Sequence, residues 1–196
     1  MIKSFFEDLD KGWQPLGPEP ILLPVVGSTA LFLQTDYERG TKDTDFLEVQ
    51  EIFPEIAKTL LRLGGEDSSL HKKHRLFIQI IKRPVLFLPP DPKFIEMNSI
   101  QLSHFKIQVL DVVDVVVSKL KPYRAKDLDD IREMVKRGHV EPDKLLERFL
   151  LAKERWLNDS RASGLKNYID NLHEVQRELL GVPETQIDLP GWLSEI

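Results

Sequence analysis

The sequence predicts a mixed α/β (α+β) fold: a small mixed sheet with flanking helices over residues 1–110, then a helical C-terminal part over 111–196 packed on that core as one compact unit. Three observations carry this. Up to about residue 110, short β-branched apolar runs alternate with segments of helical period. From Asp111 onward, apolar residues recur at helical spacing almost throughout. The chain has 196 residues, 41% of them hydrophobic, which is enough to bury a real core within one domain.

Ile2 to Leu9 carries apolar residues at 2, 5, 6 and 9, the pattern of a short amphipathic helix, and Gly12, Pro15, Gly17, Pro18 and Pro20 then form a connector. Ile21 to Val26 reads as a buried strand whose Pro24 indicates a sheet edge or an early bend. A helix starts at Gly27-Ser28 and runs through Gln34. Asp43 to Val49 alternates as a strand with one polar face would, and a helix follows over about 51–63, ended by Gly64-Gly65. Leu76–Ile81 and Val85–Leu88 suggest a hairpin around Lys82-Arg83-Pro84, and Phe105–Leu110 is a further strand. Asp111 opens a helix through Leu120, although its valines make a strand the alternative. Helices over 125–137, from Pro142 through Leu150, and over 165–180 complete the chain.

Net charge is −5, which excludes a broadly basic nucleic-acid binder. No apolar stretch approaches the roughly 20 residues that cross a bilayer, and acids at Glu7 and Asp8 stand where a signal peptide would be apolar. Without cysteine there is no disulfide framework, thiolate metal site or cysteine nucleophile. A cytoplasmic protein with no membrane partner is expected. Residues 1–70 hold 6 basic and 13 acidic side chains, while the remainder is mildly basic. That division suits a cation site facing a polyanion, and equally suits ordinary surface variation.

The chemistry-bearing stretch runs from Val26-Gly27-Ser28-Thr29 to Arg39-Gly40-Thr41-Lys42-Asp43-Thr44-Asp45. A strand ending in Gly-Ser at a helix start offers backbone N–H groups and a hydroxyl to a phosphate. No Gly-Lys-Ser or Gly-Lys-Thr follows, so it is not a P-loop. Asp43 and Asp45, two apart on a strand, share a face, where their mutual repulsion calls for compensation. Mg²⁺ or Mn²⁺ would supply it together with substrate phosphates, and a solvated strand end is the plainer alternative.

Gly-Ser-x-Ala-Leu followed by Arg-Gly-Thr-Lys-Asp-x-Asp resembles the minimal nucleotidyltransferase superfamily, in particular the branch with the abortive-infection and toxin–antitoxin nucleotidyltransferases. Lys119-Leu120 and Lys126-Asp127-Leu128-Asp129-Asp130-Ile131 match that branch's later motifs, so the resemblance spans about residues 20–150. It implies a nucleotidyltransferase fold and transfer of a nucleoside monophosphate from an NTP to an RNA (tRNA) or protein hydroxyl. A catalytically weak module that binds nucleotide, RNA or a partner such as a cognate antitoxin is the alternative. By the resemblance, Asp43 and Asp45 hold the metal ions, Ser28 and the Gly27–Thr29 backbone bind phosphates, Lys119 neutralises the triphosphate and Asp127 orients Lys119 or the nucleotide. The family commonly adds a third carboxylate on the neighbouring strand, where this chain offers Gln79.

Arg39 and Lys42 flank the acids and either touch phosphates or pair with the carboxylates. His71-Lys72-Lys73-His74-Arg75 reads as a solvated basic loop, and Lys121, Arg124 and Lys126 extend a basic face around Lys119. Asp127 and Asp130 share a helix face, whereas Asp129 and Asp130 do not. The five histidines lack zinc spacing, and the three tryptophans suggest core packing or terminal docking.

Overall fold

The computed structural model describes residues 2–14, 17–38, 40, 42–48 and 54–194. The chain divides into two units, Met1–Val85 with Lys93–Asp111, and Leu86–Pro92 with Val112–Ile196.

The first unit is built on a five-stranded mixed sheet in the order β3-β2-β1-β5-β4. The strands are β1 (Ile21–Val26), β2 (Asp43–Leu47), β3 (Phe77–Ile81), β4 (Phe94–Glu96) and β5 (Phe105–Leu110). β1 runs parallel to β5 and antiparallel to β2; β3 is parallel to β2, and β4 antiparallel to β5. Helices α1 (Ile2–Gly12), α2 (Gly27–Gln34), α3 (Pro54–Gly64) and α4 (Ser69–His74) accompany it. Because side chains alternate along a strand, Leu23, Val25, Phe46, Ile78, Ile107 and Val109 fall on one face, all buried. Phe6 of α1 stacks on Phe46 there, and Gly64 of α3 lies so near Ile78 that a Cβ would stand 2.6 Å from its Cδ1. The opposite face carries Asp43, Asp45, Gln79, Lys106 and Gln108 among apolar residues that include the buried Val26, Leu47 and Leu110.

Several sequence expectations need correction. Pro24 lies in the central strand, at neither an edge nor a bend. Ile21 N–H donates to β5 through the His104 carbonyl, so alternation turns the Pro24 nitrogen toward β2, where pairing is confined to Val25 and Val26. No ladder bond is lost there. The hairpin at 76–88 does not form: β3 pairs with β2, Arg83–Val85 is a 3-10 turn, and Phe87 and Leu88 are buried in the other unit. Phe87 packs edge-on against Phe149 and Trp156, so its hydrophobicity serves an aromatic cluster rather than a strand. The basic run at 71–75 is mostly helical rather than a solvated loop. Ser68 caps α4 by accepting from His71 N–H, and the His74 ring meets Phe5 edge-on with its Nε2 2.8 Å from Asp8. The expected strand residue Val49 and the expected start of the helix over 51–63 lie outside the described residues.

The second unit is helical: α5 (Val112–Lys119), α6 (Ala125–Lys136), α7 (Pro142–Leu157), α8 (Leu165–Glu174) and the short α9 (Gly191–Ser194). The valine run is a helix because every one of its residues is buried, so nothing rewards strand alternation. Pro142 takes the first turn of α7, where a missing N–H costs nothing. α8 passes into a π-helical stretch, Val175–Leu180, that stops at Gly181 in the left-handed conformation. Among the described residues, no helix is long and apolar enough to cross a membrane.

Candidate functional site

β1 runs into α2 without a loop, and the turn is made at Gly27, whose φ of +67° glycine adopts without strain. The N–H groups at 27–29 open the helix and have no acceptor within it. Ser28 occupies the second position of this turn. Thr29 is 2% exposed, and its hydroxyl donates to the Asp43 carbonyl at 3.0 Å. Its side chain therefore ties α2 to β2, leaving its backbone as the part that serves the turn.

Asp43 and Asp45 are half-buried on the face of β2 opposite Phe46. Val26 is the register partner of Asp45, which carries the carboxylate up to the β1–α2 turn: a Cβ on Gly27 would lie 3.0 Å from Asp45 Oδ2. On the other side, Asp45 pairs in register with Gln79 and Asp43 with Phe77. Gln79 thus occupies the position beside Asp45, exposed and on the same face. The two carboxylates and the Gln79 amide oxygen are hard oxygen donors of the kind that Mg²⁺ or Mn²⁺ takes together with phosphate and water, whereas the helix-opening N–H groups suit the phosphate rather than the ion. The glycine keeps open the space a side chain would fill. Among the described residues, no group of three or more His, Asp or Glu is placed to hold a metal. Lys42 is exposed, with its carbonyl accepting from Phe77 N–H at 3.0 Å. Arg39 and Thr41 lie outside the described residues.

Lys119 and Asp127 belong to the helical unit. Lys119 ends α5, and its ammonium meets Asp127 Oδ1 at 3.0 Å and Asp130 Oδ2 at 2.8 Å. The three-residue spacing on α6 brings both carboxylates to one ammonium, while Asp129 turns away to pair with Arg132. Asp127 also accepts from Arg124 N–H at 3.1 Å, capping the start of α6. Lys119 is 6% exposed and Asp130 fully buried, so this ammonium is held between two helices rather than displayed on a surface. Nearby, Tyr123 stands at a positive φ of 41°, and burial together with the Glu174 carboxylate pushes its phenol up to about 12.

The structure thus gathers Gly27, Ser28, Thr29, Asp43 and Asp45 in one unit, and Lys119, Asp127 and Asp130 in the other. Sequence reasoning passed over a further cluster. Asp114, alone among valines on α5, receives a two-pronged contact from the buried Arg148, at 2.7 Å from Nε and 2.8 Å from Nη2. Arg148 also donates to the Asp91 carbonyl at 2.8 Å, which ties the Leu86–Pro92 segment to α5 and α7. Its guanidinium is held even more firmly protonated than usual, chiefly by Asp114. The signal was present: one acid in an apolar helix demands a partner.

Residues 8–178 match the model of a protein family described as nucleotidyltransferase of unknown function, DUF6036. No curated protein and no solved structure matches the chain.

Proposed function

The chain belongs to this family of nucleotidyltransferases of unknown function, and from that premise we propose that it is a Mg²⁺- or Mn²⁺-dependent enzyme moving a nucleoside monophosphate from an NTP to a hydroxyl of RNA, tRNA included, or of a protein. The observation that carries this reading is the meeting of Asp45 with the Gly27 turn, beside Asp43 and at the opening of α2. In it, Asp43 and Asp45 hold the divalent ion, which when bound grips the triphosphate and acidifies the acceptor hydroxyl. Ser28 and the 27–29 backbone receive the β- and γ-phosphates. The acceptor oxygen bonds to the α-phosphorus as pyrophosphate leaves, a reaction that rests on positioning and electrostatics. The roles that the resemblance gives to Lys119 and Asp127 belong to the same proposal. So does a toxin–antitoxin setting, with a cognate antitoxin as protein partner.

Gln79 favours a second reading. With an amide in register with Asp45 where a carboxylate would add charge for a second ion, the chain is a catalytically weak module that binds nucleotide, RNA or a partner protein.

Transfer of label from each α-³²P NTP separates the two. The protein is incubated with Mn²⁺ or Mg²⁺ and total RNA, beside the Asp43→Asn/Asp45→Asn double variant. Label on RNA or protein with wild type only establishes the transferase and names its acceptor. Metal-dependent NTP binding without label supports the second reading. Absence of both label and NTP binding refutes the transferase and any nucleotide-binding role.

A further inference from the structure

The two acids of β2 are held in place by different means. Asp45 lies within the β1–β2 ladder, opposite Val26. Asp43 lies beyond it. Continued by two residues, the same antiparallel register would set Ser28 opposite Asp43. The chain leaves the sheet at Gly27, however, and Ser28 already belongs to α2.

The direction of the Asp43 carbonyl turns this into a bonding problem. Phe77 N–H donates to the Lys42 carbonyl at 3.0 Å, so the Lys42 carbonyl faces β3. Carbonyls alternate in direction along a strand, and that of Asp43 therefore faces away from β3, toward the place where β1 has ended. There the Thr29 hydroxyl donates to it at 3.0 Å. One side chain thus stands in for a ladder N–H. Thr29 is 2% exposed, so on its side the bond is made out of reach of bulk water, where leaving it unmade is costly. The hydroxyl comes from the third residue of α2, within the same first turn whose N–H groups suit phosphate. A single threonine therefore joins the phosphate turn to the backbone of the first acid.

We propose that Thr29 is a positioning residue of the ion site. Its hydroxyl sets where the Asp43 carboxylate stands relative to Asp45 and to the opening of α2, and so aligns the ion with the phosphates. This role rests on the transferase site described above, and it is separate from the contact of the Thr29 backbone with phosphate. Groups that support a metal ligand from behind change metal affinity by about 10–100-fold when they are lost. A threonine that only fastened α2 to β2 would change stability and leave the affinity of the folded protein for the ion as it was.

The test uses the full chain and Mn²⁺, with ion binding followed by electron paramagnetic resonance and the stability of each variant by urea unfolding. Thr29→Val keeps the shape of the side chain and removes the donor, whereas Thr29→Ser keeps the donor. Mn²⁺ affinity is expected to fall about tenfold or more in Thr29→Val and to return close to wild type in Thr29→Ser. Thr44→Val, which removes a neighbouring buried hydroxyl from the same strand, should leave it unchanged. In an Asp43→Asn background Thr29→Val should add no further loss, because the residue acts through Asp43. Should Thr29→Val fail to fold, Thr29→Ala puts the same question with a better helix former. The proposal is overturned if the folded variant without the hydroxyl binds Mn²⁺ as wild type does while Asp43→Asn does not. It is equally overturned if Thr29→Ser fails to rescue, if Thr44→Val weakens binding as much, or if the losses from Thr29→Val and Asp43→Asn simply add. Those results leave the ion site standing and return Thr29 to fastening α2. No Mn²⁺ binding by wild type, or binding unaffected by Asp43→Asn, removes the ion site itself and this role with it.

Discussion

Replacing Lys119 with Met separates a structural clasp from a ligand-binding charge. The ammonium sits 3.0 Å from Asp127 and 2.8 Å from Asp130, with the lysine side chain 7% exposed and that of Asp130 fully buried. At an effective dielectric of about 20, each contact is worth about 6 kcal/mol before desolvation. Most of that offsets the cost of taking the charges out of water. Removing one partner, however, leaves two carboxylates facing each other in a buried site, and breaking such a pair costs about 3–5 kcal/mol. For a chain of this length that lowers Tm by about 6–20 °C. Thermal and urea unfolding followed by circular dichroism would measure it. Adding Asp127→Asn and Asp130→Asn to Lys119→Met should recover most of the loss, because the stranded charge goes while an amide oxygen still caps α6. A drop below about 1 kcal/mol would refute the clasp. Affinities measured well below Tm then address the ligand. Triphosphate binding weakened more than monophosphate binding supports the role that the resemblance gives Lys119, and equal losses count against it.

Gly27→Ala forces a Cβ into the left-handed region, costing about 1–2 kcal/mol, and places it 3.0 Å from Asp45 Oδ2. The protein should stay folded while Mn²⁺ affinity, read by electron paramagnetic resonance, falls tenfold or more; unchanged affinity would remove Asp45 from the ion site. Thr44 is fully buried, and its hydroxyl has no hydrogen-bond partner among the described residues, so Thr44→Val should be neutral or stabilising by about 1 kcal/mol. A clear loss in urea unfolding would mean that the hydroxyl is satisfied. Tyr123 ionises near pH 10 when unfolded but only near pH 12 in the fold. Its contribution is therefore intact below pH 10 and lost as pH rises toward 12. Tyr123→Phe should flatten the alkaline decline in urea midpoint between pH 9 and 11, and an identical decline would contradict the assignment.

Elements whose own residues carry the signal were legible, and those defined by their neighbours were not. The amphipathic α1, the Gly-Ser start of α2, the strand at 105–110 and Pro142 at the head of α7 all stand where periodicity and capping put them. β4 escaped notice because three residues are too few for a period and β5 alone makes them a strand. Val85–Leu88 misled because Phe87 and Leu88 are equally apolar in a strand or in an aromatic cluster, and only the tertiary fold chooses. Pro24 misled for a subtler reason. A proline is excluded from a central strand only where its nitrogen faces a paired neighbour, and the shortness of the β1–β2 ladder is invisible in the sequence.

The candidate site divides along the same line. Asp43 and Asp45 announce themselves because two acids on one strand face break the local rule, and no pairing information is needed to see it. Asp127 and Asp130 likewise follow from helical spacing alone, and the fold brings both to Lys119. What spacing could not supply was depth: nothing in the local sequence of Lys119 says that its side chain is enclosed, yet it is 6% exposed because α5 is buried all round. Gln79 is the opposite case. The resemblance singles Gln79 out as the residue on the neighbouring strand where a carboxylate is common, but only the parallel register with Asp45 sets it beside the acid. A slip of one residue would turn it to the core face and bring Ile78 or Ile80 beside the acid instead. The choice between transferase and binding module therefore turns on a pairing that is set by the whole sheet, while the acids on which both readings depend could be read from a single strand.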